Sequence, residues 1–112
     1  MIASRKPELI FDGEFDEREA LEARDRGYRS HVWVKLTNDE RYPVVFYDGS
    51  RLQQDLADET KAGNAFIAEP GLIVLPEVTL EYMEKAVCRL AEGGFFESLR
   101  PATQSATIAV GR

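Results

Sequence analysis

The chain carries one cysteine and one histidine, and these two scarcities exclude more chemistry than any motif it contains. Cys88 has no partner for an internal disulfide, and with His31 it cannot furnish a thiolate or imidazole metal cluster. A cross-linked secreted scaffold and a structural zinc site are therefore out, and neither a metal nor another cofactor is expected. A serine-type triad would have to be built on His31, which alternates with Trp33 in a strand-like run that fits packing or surface exposure. Cys88 has only Lys85 and Arg89 nearby to lower its pKa, so it reads as a structural thiol. No catalytic residue is assigned.

Long apolar runs are also missing. Nothing approaches the roughly 20 residues that cross a bilayer, and residues 1–7 hold a basic pair with no apolar stretch behind it. The expectation is a cytoplasmic chain without a membrane partner. Glycine-rich phosphate loops, an H-E-x-x-H pair and a twelve-residue calcium loop are absent as well. Positive charge is in deficit: 14 basic residues face 20 acidic ones, for a net charge of −6. That sign is wrong for a phosphate backbone, so nucleic acid is not expected as a partner.

What is present is enough for one domain. The 112 residues, 44% of them hydrophobic, should bury roughly two-thirds of the unfolded surface without staples. The ordered body is expected over about residues 9–100, with 1–8 and 101–112 flexible; Leu9-Ile10-Phe11 can pin the start of the chain to the body.

Residues 12–26 are the compositional outlier, with seven acids and three arginines. Asp16 with Glu19 can cap a helix, Glu14–Arg18 and Glu22–Arg26 are favourable four-residue pairs, and Gly27 supplies a stop. The apolar content, Phe15, Ala20, Leu21 and Ala23, is thin for a packed helix. Glu17, Glu19, Glu22 and Asp25 are accordingly the first candidates for a partner-binding surface.

Residues 31–36 alternate strictly, with Val32, Val34 and Leu36 on one face and His31, Trp33 and Lys35 on the other. The turn-forming Thr37-Asn38-Asp39-Glu40 joins them to an antiparallel partner at residues 42–47, where Pro43 favours an edge or an outer end. Ser50 with Gln53 makes an S-x-x-Q cap for a helix over residues 51–61, whose apolar stripe is Leu52 and Leu56. Ala65-Phe66-Ile67-Ala68 and Leu72-Ile73-Val74-Leu75 are two further strand candidates, and Glu69-Pro70-Gly71-Leu72 between them carries a type II turn signature. Thr79 caps the last helix, Val78 and Met83 staple its entry, and Gly93-Gly94 closes it. Leu80, Met83, Val87, Leu90 and Ala91 form its inner face; Glu81, Lys85, Cys88 and Glu92 look outward. Phe95 to Leu99 should cover the core edge.

The fold class predicted is α+β: β-β-α-β-β-α, a four-stranded mainly antiparallel sheet with helices on one face, preceded by a charged N-terminal helix. The heptapeptides 44–50 and 73–79 align strand, acid, spacer and hydroxyl, so an internal duplication is one reading and common strand-to-helix turn chemistry the other. In this order Asp48 and Glu77 reach one rim with Ser50 and Thr79, a possible ligand cluster, although helix N-termini favour acids with no ligand at all. Trp33 falls on a sheet face left open if helices cover the other, and serves as an interface anchor.

The function expected is a non-enzymatic protein-interaction module, an inhibitor, immunity-like factor or regulatory subunit, binding a more basic protein through acidic and aromatic surface. The alternatives are a small ligand-binding domain or enzyme using Asp48 and Glu77, and an acidic DNA mimic. An open edge or the Trp33 face makes a homodimer possible.

Overall fold

The computed structural model describes residues 6–37 and 39–99. Strand β1 (Glu8–Phe11) leads into helix α1 (Glu17–Arg26), and strands β2 (Tyr28–Lys35) and β3 (Arg41–Asp48) follow as a hairpin. Helix α2 (Gly49–Lys61), strand β4 (Leu72–Leu75), helix α3 (Leu80–Glu92) and a short 3-10 turn (Phe95–Ser98) complete the order. The sheet runs β1-β2-β3-β4, with β1–β2 and β2–β3 antiparallel and β3–β4 parallel. The fold is α+β, with the four-stranded, mainly antiparallel sheet expected from the sequence. Calls on residues 1–5, on Asn38 and on 100–112, including flexibility of both termini, lie outside the described residues.

One strand differs from the expected set. Ala65-Phe66-Ile67-Ala68 forms none, and Leu9-Ile10-Phe11 supplies the fourth strand instead. The type II turn is present: Gly71 has φ 83, and the Leu72 amide donates to the Glu69 carbonyl at 3.1 Å. Such a turn splays its flanking strands, whereas tight hairpins need the mirror-image types. Leu72 to Leu75 therefore pair in parallel with β3, as the α2 crossover allows. The two halves of the chain consequently lack a common β-β-α plan.

The main core lies on one sheet face, where Val32, Val34, Tyr42, Val44, Phe46, Ile73 and Leu75 meet Ala23, Val78, Met83, Val87 and Phe96. Helices α1 and α3 and the 3-10 turn supply that layer. Val45 and Tyr47 are also buried but alternate to the opposite face. Tyr47 there borders α2, which contributes no buried residue of its own. The expectation of helices on one face thus describes α1 and α3, while α2 flanks the other side.

A bulge sets the phase of β2. Arg29 pairs with Phe46 and Val32 with Val44, so Ser30 and His31 together oppose Val45 and His31 takes φ 59. The extra residue returns Arg29, rather than Tyr28, to the core side. The Arg29 guanidinium sits 5.4 Å from the Phe11 ring centre and 5.2 Å from that of Phe15, two rings stacked at 4.2 Å, and it hydrogen-bonds Glu19.

Caps follow the sequence with one exception. Asp16 accepts from the Glu19 amide and Thr79 from the Tyr82 amide. At α2 the Asp48 carboxylate takes the Arg51 amide at 2.8 Å, in place of the expected Ser50. Aspartate caps as well as serine and adds a charge favoured by the helix dipole. Leu80 is the other correction: at 40% exposure it leaves the inner face expected of it.

Candidate functional site

Helix α1 spends most of its charge internally. Glu19 pairs with Arg29, Glu22 lies 3.7 Å from both Arg18 and Arg26, and Arg24 reaches Glu77 at 3.8 Å. Among the described residues Glu17 and Asp25 have no ion-pair partner, and both are exposed. A cleft of about 220 Å³ beside the bulge brings Glu19 and Glu22 together with Asp12, but Arg26 and Arg29 line it too. Its charge is mixed. Trp33, half-buried, points away from the core face on which Ala23 of α1 packs, so the acids and the tryptophan do not form one surface.

The rim residues also separate. Because β3 and β4 are parallel, Asp48 and Glu77 do emerge at the same end of the sheet. Asp48 is held by its cap and by close approach to Gly27, where a Cβ would run into its carboxylate. Glu77 faces Arg24 instead. Ser50 is exposed on the first turn of α2, and Thr79 is occupied as the α3 cap. Neither acid lines any of the five principal clefts among the described residues.

A different cleft, of about 450 Å³, opens between α2 and the loop that leads to β4. Asp55, Asp58 and Glu59 stand on one face of α2 by their three- and four-residue spacing. The loop supplies Phe66, Ile67 and Glu69, and Tyr47 of β3 forms the floor. Two devices fix the loop: Asn64 donates its backbone amide to the Glu59 carbonyl at 2.8 Å and its side-chain amide to the Glu59 carboxylate at 3.0 Å. At the far end the Pro70-Gly71 turn holds Glu69 in place.

The nine lining residues include four carboxylates and no lysine or arginine. Asp55 shares its charge with Arg51, whose Nε lies 2.9 Å away and whose guanidinium stacks 4.7 Å from the Tyr28 ring. For Asp58, Glu59 and Glu69 no ion pair exists among the described residues. Tyr47 responds to this field. Burial first, then the neighbouring Tyr28, Asp55 and Glu69, push its phenol above the ordinary 10.0, against a smaller opposing pull from Arg51. Phe66 stands at the lip, 61% exposed.

Such a lining accepts hydrogen bonds and offers apolar contact, with neither thiol nor imidazole to act as nucleophile or base. Among the described residues no group of three metal-ligating side chains converges. The sequence held the signal in Asp55, Asp58 and Glu59, but a charged helix face reads as solvated until a loop is known to close over it. Reading Phe66 as a strand residue concealed that loop.

Searches against family models, curated proteins and solved structures find no match to this chain.

Proposed function

We propose that the protein is a non-enzymatic interaction module that recognises a basic protein, seating a lysine or arginine side chain of that partner in the cleft beside α2. The observation that carries this reading is the four-carboxylate lining with no cation among the lining residues. A long basic side chain matches both parts of the cleft, its aliphatic stem lying along Phe66 and Ile67 while its head takes the carboxylates. Electrostatic attraction of this kind speeds encounter and weakens with salt. An inhibitor or regulatory subunit acting on a basic protein surface would use such a site.

Titration with a lysine- and arginine-rich peptide, followed by calorimetry at low and at high ionic strength, tests the proposal. The double variant Asp58→Asn, Glu59→Gln should weaken binding by roughly tenfold or more, in line with loss of two charge contacts. Phe66→Ser should weaken it too, whereas Glu17→Gln with Asp25→Asn should leave it unchanged. Equal binding by the cleft variants and the parent would refute the assignment.

A further inference from the structure

The opposite edge of the sheet presents a self-complementary surface, and we infer that it joins two copies of the chain into a two-fold dimer with β1 beside β1. Strand β1 is terminal in the sheet. The Asp12 amide donates to the His31 carbonyl, so by antiparallel alternation the backbone groups of Ile10 and Glu8 also point to β2. Those of Pro7, Leu9 and Phe11 point outward.

Charge selects one register for pairing this edge with its own copy. Centring the two-fold on Leu9 sets Lys6 opposite Asp12 of the second copy, twice, and Glu8 opposite Ile10. A shift of one pair in one direction sets Glu8 opposite Glu8, and in the other sets Glu8 opposite Asp12. Both alternatives place like charges face to face, which destabilises a strand pair. The favoured register closes four backbone hydrogen bonds: each Leu9 amide to the other Leu9 carbonyl, and each Phe11 amide to a Pro7 carbonyl. The donor that Pro7 lacks removes bonds that would otherwise extend this set.

Helix α3 supports the same axis. It begins where β4 ends and returns antiparallel to β1, so Leu80 lies with Phe11 and Phe15 near the end of β1. Lys6, two residues before β1, shares an apolar-floored groove with Leu80, Glu84, Lys85 and Cys88. Leu80 is 40% exposed there. A two-fold perpendicular to the sheet brings the two α3 helices side by side and antiparallel on one layer. Glu81 and Glu84, in the first half of each helix, then meet Lys85 and Arg89 in the second half of the other. This edge is remote from the α2 cleft, which borders β3 and the approach to β4, so the dimer leaves the cleft open.

Analytical ultracentrifugation of the full chain should give twice the chain mass of 12.6 kDa, dissociating on dilution. Glu84→Lys and Lys85→Glu, each placing like charges across the axis, should raise the dissociation constant by roughly tenfold, and the double swap should restore it. Circular dichroism checks that each variant is folded. Amide exchange at Leu9 and Phe11 should be slow in the dimer and fast after dilution. A monomer at all concentrations would overturn the inference, as would a dimer in which those two amides remain fast or the charge swap has no effect.

Discussion

Two side chains decide how the sheet and its loops read electrically. Arg29 is 15% exposed and bound to Glu19, and its Nε is buried without a hydrogen-bond partner among the described residues. The ring pair around it offsets desolvation through cation–π contact, but the charge depends on Glu19. Glu19→Gln should therefore cost about 1 to 3 kcal/mol, as loss of a partly buried ionic hydrogen bond does. Glu17→Gln should cost nearly nothing, and urea denaturation of the two variants makes the comparison. Tyr47 reports the field of the α2 cleft. Its folded phenol holds the proton above the ordinary 10.0, so the native state binds more protons than the unfolded chain once that value is passed. The stabilisation is complete below pH 10.0 and is lost as pH rises through the folded value. Ultraviolet titration should show a late phenol that Tyr47→Phe removes and that Glu69→Gln moves downward.

At the scale of elements, strands and helices set by local alternation or caps were legible. The β2–β3 hairpin, the Asp16 and Thr79 caps, and the buried pair Val78 and Met83 all follow from residue pattern. Two things were not. Leu9 to Phe11 is too short to announce a strand and becomes one only because β2 offers its edge. Leu72 to Leu75 can pair in either direction as far as composition goes, and the crossover through α2, which joins β3 directly to β4 with no strand between, makes the pairing parallel. Gly71 is where that decision is enforced, since a Cβ there would strike the Pro43 carbonyl and φ is 83. Gly71→Ala should destabilise by about 2 kcal/mol or more, combining left-handed backbone strain with that collision. Met83→Ala, which empties a fully buried site, should cost about 2 to 5 kcal/mol. Thermal denaturation that leaves both variants at parental stability would place β4 and α3 outside the core.

For the molecule as a whole, net charge was a poor guide to where unpaired acids gather. Residues 12–26 are the densest in acid, yet arginines from α1 and β2 neutralise much of that surface; the four-residue rule finds Glu22–Arg26 but not the pairs made between elements, Glu19–Arg29 and Arg24–Glu77. Asp58, Glu59 and Glu69 meet around one cleft with no ion pair among the described residues, and their meeting depends on how the chain approaches β4. That approach also governs the order of assembly. The β2–β3 hairpin closes across residues 36–40, whereas Leu72 must find Val45 beyond the whole of α2 and the segment after it. Closing so long a span carries more chain entropy for few bonds, so β4 docks late and is an early element to open in the native ensemble. One wall of the acidic cleft, the loop that leads into β4, is tied to that seam, and a bound cation would act as a clasp that lengthens the lifetime of the parallel pairing.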